Sequence, residues 1–423
     1  MNRIEDAKED AGGAASYEDY GGVGPDVAAT FNVPAAELVK RLAAAQEKRE
    51  AAAERTATEL ARRAESPERR IAQRGMLHNV NGRLNETGWM TAPLLRFDAA
   101  RVKAGRLRLK RTERYLINDD DYALWVTVAD FGYVGLVSAQ VANLVHPSSH
   151  TVSVVVPLPG RRFSLPESPV SGITRFSHRR AGFLCRAERG ERRIVAHFDE
   201  FAQGETLAID ALLDCQPDEQ LANVLAWPND PRAFHYHTLV PAMRASGSFK
   251  VGHRVHGFSP TRSFGLFSWN RGVWPLETEH VWGIAQGWQD GTGGAAFGSH
   301  TVALQMVAGL DERAATQNAF FLDGRVIKLG HVDIQVPPGQ DPAGKTLAER
   351  FDLLGSWRIT DDAVAVDLTF APANDAADSL NAYAVFLDRH QVFGTFSGTV
   401  QIEGHPFVLA GLFGVMAVEH AKL

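Results

Sequence analysis

From residue 76 to residue 423 the hydrophobic pattern repeats every second residue. That is the period of a half-buried β-strand and not of a helix. Alternation runs through "YALWVTVAD" (Tyr122 to Asp130), "RRIVAHFDEF", "SGSFKVGHRVHGF", "NAFFLDGRVIKL", "SWRITDDAVAVDLTF" and "GTFSGTVQIEGHPFVLAGLF". Short turn signals separate many of these runs: Arg189-Gly190, Val251-Gly252, Asp323-Gly324, Asp361-Asp362 and Glu403-Gly404. Asp323-Gly324 suits a two-residue hairpin, because glycine and, less readily, aspartate adopt positive φ. The pattern predicts meandering antiparallel sheet, and closing such sheet into barrels removes its exposed edges. One barrel rarely needs this much chain. The expected fold is therefore all-β, with two antiparallel β-barrels or half-barrels over residues 76–245 and 246–423, parting near "PRAFHYHTLVPAMRASG".

The segment before residue 76 reads differently. Residues 1–33 mix Gly, Ala, Asp and Glu with few large apolar side chains, which predicts disorder or loose tethering. From Pro34, "PAAELVKRLAAAQEKREAAAERTATELARRAE" is built of strong helix formers and predicts one long helical extension over residues 34–75. Its apolar stripe is thin (Leu38, Leu42, Leu60), compatible with a solvated helix or with a homodimer formed through it.

A net charge of −6 and a pI near 6.2 leave no electrostatic footprint for nucleic acid. No apolar run reaches the roughly 20 residues of a membrane-spanning helix, and "MNRIEDAKED" lacks the order of a signal peptide, so a cytoplasmic protein is expected. The two cysteines, Cys185 and Cys215, are far apart and give neither a zinc knuckle nor a disulfide framework. "GTGGAA" (Gly291 to Ala296) matches a dinucleotide fingerprint only formally, because it follows "GWQD" and runs into extended chain. There is no GxxxxGK[ST], HExxH or GxSxG motif, which disfavours nucleotide, zincin and α/β-hydrolase chemistry. "FHYHT" sets His235 and His237 on one face of a strand, and His253, His256 and His280 could join them as metal ligands. Such pairs are common without a metal, and neither metal nor organic cofactor is expected. "NDDDY" (Asn118 to Tyr122) reads as a turn.

The strongest local feature is "SWNRGVWPLETEHVWGIAQGW", Ser268 to Trp288, which holds four of the chain's eight tryptophans. Paired rings add about 0.5–1.5 kcal/mol beyond their burial, so the cluster could be core alone. Interleaved with Arg271, Glu277, Glu279 and His280, it could equally be the wall of a ligand cavity. Arg271 could stack on an indole. Alternation sends Trp269 and Arg271 to one face and Asn270 and Gly272 to the other. Gly272, Gly283 and Gly287 would leave room for close backbone or ligand.

"NVNGRLNETGW", "YLINDDDYALWVTVADFGYVG", "WNRGVWPLETEHVWGIAQG", "TQNAFFLDGRV" and the C-terminal "HQVFGTFSGTVQIEGHPFVLAGLFGVMAVEHAKL" together resemble domain-of-unknown-function family 2804 over roughly residues 76 to 423. The resemblance implies a lipocalin-like fold of two barrels, distantly similar to carotenoid 1,2-hydratases, fungal cyclases and AttH-like proteins. It also implies a bulky apolar ligand and no organic cofactor. This chain departs from the family pattern at Ser268, where an Asp is expected, and at His280, where a Trp is expected. It departs again at Leu239 and Pro241, in place of Lys-x-Asn, and at Thr395, in place of His.

The leading functional expectation is a cofactor-independent lyase, isomerase, hydratase or cyclase acting on a bulky hydrophobic small molecule, an isoprenoid or a multi-ring aromatic. His280 or Glu277 would move a proton and Arg271 would steady a developing anion, with Tyr133 and Asp130 as further catalytic candidates. Trp269, Asn270, Trp274, Trp282, His237 and His390 would line the ligand, and Glu419 and His420 stand in reserve. The alternatives are a non-catalytic carrier or sensor and, with less support, a carbohydrate-active protein.

Overall fold

The computed structural model describes residues 68–422 apart from Arg106, Cys215, 228–229, 292–297, 311–314, Asp362, Val364 and 383–384. The expected N-terminal tail, most of the expected helix and the "GTGGAA" loop lie outside the described residues. Where the helix was expected to run on to residue 75, the chain is extended: Arg70 bridges to Trp89, and Gly75–Met76 pairs with Leu95–Arg96. The proline at position 67 interrupts the helical composition just before this point.

The alternating segments form two curled antiparallel half-barrels. Ten strands suffice to describe the site. In the first sheet these are β1 (Leu109–Asn118), β2 (Tyr122–Asp130), β3 (Leu221–Trp227), β4 (Asp230–Val251) and β5 (Phe264–Val273). In the second they are β6 (Glu277–Gly291), β7 (Gly298–Ala308), β8 (Val366–Ala382), β9 (Val385–Ile402) and β10 (His405–Lys422). The first sheet runs β2-β1-β5-β4 at its centre, with β3 beside β4; the second runs β7-β6-β10-β9-β8. Hairpin chemistry explains several turns. Arg189-Gly190, Asp323-Gly324 and Glu403-Gly404 each place two successive residues at positive φ, the geometry whose twist matches that of the flanking strands. Gly247 and Gly398 bend the long strands inward. An added Cβ there would meet the backbone oxygens of Asp210 and Asp367 at 2.2 Å.

Each sheet closes around its own apolar core. The first contains Tyr115, Phe183, Phe198, Phe267 and Trp269, the second Phe320, Trp357, Phe370, Phe396 and Phe407. A third core, with Leu116, Trp125, Leu239, Leu266, Trp282, Ile284 and Phe393, lies between the sheets. The central strands are buried on both faces, so β5 has no exposed residue at all. The chain passes between the sheets at Trp274–Leu276, later than the parting expected at 245/246, which falls inside the 22-residue β4. A bulge between Val240 and Met243, with Ala242 at φ 54°, breaks the alternation of β4 and makes it read as a boundary. Among the described residues no helix is long and apolar enough to cross a membrane.

Candidate functional site

Strand parity decides what meets at the inter-sheet face. On β5, Ser268 and Asn270 point between the sheets, whereas Phe267, Trp269 and Val273 belong to the core of the first half-barrel. Directly opposite Ser268 lie Arg114 of β1 and Leu239 of β4; opposite Asn270 lie Thr112 and His237. From the second sheet Glu419 of β10 sits between His280 of β6 and Arg389 of β9, each directly opposite it. Arg114 and Glu419 then join the two sheets, guanidinium to carboxylate, at 3.6 Å.

These residues enclose a cavity of about 70 Å³, lined by Thr112, Arg114, Trp227, His235, Asn270, Trp274, Thr278, His280, Leu310, Glu419 and Ala421. Its floor is polar and buried (Thr112, His235, Asn270, Glu419), while Trp227, Trp274, Thr278 and Leu310 at the rim are only half-buried. Gly272 makes this rim possible, because an added Cβ would strike the Trp274 indole nitrogen at 2.4 Å and the Phe234 carbonyl oxygen at 2.5 Å. Four buried polar atoms of the lining have no hydrogen-bond partner among the described residues: Arg114 Nε, Trp274 Nε1, His280 Nδ1 and Glu419 Oε2. Buried polar groups are ordinarily paired, so four unpaired ones on residues that line one cavity make it the candidate site.

The other two histidines of the belt are fully engaged. Gln317 Nε2 donates to His235 Nδ1 (3.3 Å), and His235 Nε2–H donates to Asn270 Oδ1 (2.8 Å). Asn270 Nδ2 donates to Ser268 Oγ (3.1 Å), Ser268 Oγ–H to His237 Nε2 (3.3 Å), and His237 Nδ1–H to Asn223 Oδ1 (3.1 Å). The chain of bonds runs one way, fixing both tautomers as neutral imidazoles. Burial pushes His235 down to about 4, and burial with the neighbouring His235 and Arg114 charges pushes His237 down as well. With both ring nitrogens of each spent, the HxH pair offers no free metal-binding lone pair. His253 is exposed at a turn, and His256 bonds Asp119 at 2.8 Å instead of meeting the pair.

His280 is different, having an unpartnered Nδ1. Burial lowers its pKa, the nearby Glu419 carboxylate opposes this and Arg114 adds to it, so the ring is neutral at pH 7. Burial alone would raise Glu419, but Arg114, His280 and Arg389 outweigh it and keep the carboxyl ionised.

Of the residues singled out from sequence, the structure gathers His280, Asn270 and Trp274 at the cavity, with Glu419 from the reserve. His237 stands behind Asn270 in the hydrogen-bonded chain. Trp282 stacks on Trp125 (5.6 Å between rings) under the Arg114 guanidinium, as inter-sheet core. Arg271 and Trp269 face the other way. Arg271 lies 4.3 Å over the Trp269 ring and pairs with Glu113 at 2.8 Å inside the first half-barrel. Glu277 is exposed at the start of β6, bonding His420 (2.8 Å) and Lys422 (3.1 Å). Asp130 pairs with Arg111 beside a separate cavity of about 710 Å³, and Tyr133 packs under Lys110, 4.3 Å from ring to Nζ. His390 faces the interior of the second half-barrel, bonded to Asp375 at 2.7 Å. Gly283 and Gly287 make room for Met416 and Leu412, not for a ligand. Sequence reasoning missed Arg114, Thr112 and Trp227. The one signal for Arg114 is a charge on the same strand face as Thr112 and Leu116.

The fold is thus two curled antiparallel half-barrels with a small, partly polar cavity between them. Residues 68–423 match the family described as "Domain of unknown function (DUF2804)", and the chain belongs to that family. The fold is similar to that of an AttH-like protein from Nitrosomonas europaea, at 10% identity and a TM-score of 0.44 over 73% of this chain and 91% of that one. It is also similar to kievitone hydratase from Nectria haematococca, at 10% identity and a TM-score of 0.38 over 74% of this chain and 88% of that one. The same identity, score and shares are found for CghA solved with Sch210972. Among curated proteins none matches the sequence.

Proposed function

We propose that the chain is a cofactor-independent acid–base enzyme of the lyase, hydratase, isomerase or cyclase kind, acting on the polar end of an apolar small molecule. The observation that carries this reading is that Arg114, Trp274, His280 and Glu419, which line one cavity with an aromatic rim, each hold a buried polar atom without a hydrogen-bond partner (Arg114 Nε, Trp274 Nε1, His280 Nδ1 and Glu419 Oε2). His280 is the proton-carrying group: neutral at pH 7, it takes a proton at Nδ1, and Glu419 stabilises the imidazolium so formed. Arg114 balances Glu419 and keeps it ionised.

Size refines the ligand expected from sequence. Pockets that engulf a drug-sized molecule measure roughly 300–1,000 Å³, against about 70 Å³ here. A multi-ring or isoprenoid molecule does not fit inside. Its reacting end enters, and its apolar body rests against Trp227, Trp274 and Leu310. Mass spectrometry of small molecules that copurify with the protein, followed by incubation of each with wild type and His280→Gln, tests the proposal. Conversion by wild type that falls about 10²-fold or more in the variant is expected; a ligand returned chemically unchanged by wild type would instead make the protein a carrier.

A further inference from the structure

The four open atoms of the cavity differ in kind. Arg114 Nε and Trp274 Nε1 can only donate a hydrogen, an ionised Glu419 Oε2 can only accept one, and His280 Nδ1 can do either. His235 offers the ligand nothing further, because both of its ring nitrogens are spent on Asn270 and Gln317. Two residues with an unused donor, one on β1 and one in the link between the sheets, therefore line the same cavity as the proton carrier. Such a pair fits an oxygen acceptor.

The standing charges say what that oxygen undergoes. At rest, Arg114 and Glu419 cancel, and the neighbouring Arg389 is cancelled by Asp378. When a proton leaves the ligand for His280, the new imidazolium faces Glu419, and the negative charge left behind faces Arg114 and the Trp274 N–H. Both charges that develop thus meet an opposite partner already in place, which is the arrangement that lowers a barrier without reorganisation.

Resting on the acid–base reading above, we infer that the buried end of the substrate is an enolisable carbonyl group, its oxygen held by Arg114 Nε–H and Trp274 Nε1–H. In the step this defines, a C–H bond on the carbon next to the carbonyl breaks and its proton goes to His280 Nδ1. The electron pair forms a carbon–carbon double bond, and the carbonyl π pair moves onto oxygen as an enolate. Return of the proton to a different carbon of the conjugated system gives isomerisation. Departure of a hydroxyl from the next carbon, taking that proton as it leaves as water, gives elimination.

The experiment uses the full chain in D₂O with three naphthalene-sized probes: 2-tetralone as the ketone, 2-naphthol as a planar mimic of its enol, and 2-naphthylamine as a control. The expected result is uptake of deuterium beside the 2-tetralone carbonyl about 10²-fold faster than in buffer, together with binding of 2-naphthol at least tenfold tighter than of 2-naphthylamine. Arg114→Met and Trp274→Phe should each slow uptake about tenfold or more. Trp274→Phe keeps an aromatic ring at the rim while removing the N–H, so it decides the matter where Arg114→Met fails to fold. Equal binding of 2-naphthylamine and 2-naphthol with no deuterium uptake would overturn the carbonyl assignment and leave the acid–base reading intact. Binding of none of the three would overturn both.

Discussion

Among the described residues two Arg–Glu pairs in the interior bridge neighbouring strands or sheets, one fully and one largely buried, and they are built to opposite specifications. Arg271–Glu113 lies in the first half-barrel, with both side chains at most 1% exposed and 2.8 Å apart. Tyr115 and Thr174 hydroxyls complete the Glu113 carboxylate, and the backbone oxygens of Thr112, Pro166 and Asn270 take further Arg271 hydrogens. Arg114–Glu419 spans the sheets at 3.6 Å, an ion pair too long for a hydrogen bond, and leaves Arg114 Nε and Glu419 Oε2 without hydrogen-bond partners on residues that line the cavity. The first pair is a structural tie: its atoms are used except Arg271 Nε, and neither residue lines the cavity between the sheets. The second keeps its polar capacity for something that comes from outside. What separates a site from a staple here is thus unspent hydrogen-bonding capacity beside a space, and not the residue types.

The contrast can be broken most directly at the tie. Glu113→Gln leaves Arg271 buried without its counter-charge and should cost about 3–5 kcal/mol of stability, read from urea unfolding. A loss under about 1 kcal/mol would mean that the two pairs are alike. At the other pair the effect should fall on turnover. His280→Gln is expected to lower kcat/KM by about 10²–10⁴-fold while shifting the unfolding midpoint little. Its pH dependence has a definite sign: the base works when neutral, so kcat/KM in wild type should fall as pH drops through a pKa below the ordinary histidine value, and be flat above it.

Stability should also depend on pH, through buried neutral histidines. His78 and His235 are both held at about 4 when folded, by burial first and by neighbouring positive charge as well, from an ordinary value of 6.5. The unfolded chain binds more protons between these values. Their contribution is therefore complete above pH 6.5 and is lost as pH falls towards 4, by up to roughly 3 kcal/mol for each ring. Denaturant unfolding at pH 7 and pH 4.5 measures it, and His235→Gln should shrink the difference. The smallest effect sharpens the comparison from outside the site. Glu277→Ala removes an exposed carboxylate whose partners are His420 and Lys422, and should leave both the unfolding midpoint and turnover essentially unchanged.

Much of the fold could be read from the sequence because period-two alternation and turn chemistry are local signals. The hairpin at Asp323-Gly324 needs nothing from elsewhere in the chain, and neither does the strand at Tyr122–Asp130. The site was half legible for the same reason. Ser268 to Trp288, read as a possible cavity wall, delivers Asn270, Trp274 and His280 to the candidate cavity, although the passage from one sheet to the other, which it contains, was expected some thirty residues earlier. Alternation also told Arg271 from Asn270, but which face looks outward from a half-barrel depends on the partner sheet, and no local pattern carries that. Glu277 misled because a strand end looks, in sequence, like the strand's interior. Arg114 and Glu419 lie more than 300 positions apart in sequence and meet only through the pairings β1 with β5 and β6 with β10.

The one-way hydrogen-bonded chain from Gln317 to Asn223 limits how this protein can vary. Each member passes a hydrogen to the next, so a pure acceptor in the middle reverses every bond downstream of it. An aspartate at 268 would draw hydrogens from both Asn270 and His237. The His237 ring would then donate from Nε2 and accept at Nδ1, and the Asn223 amide, whose Nδ2 has no partner here, would turn to supply that hydrogen. One substitution on β5 thus resets the tautomer of a ring on β4 and the orientation of an amide on β3.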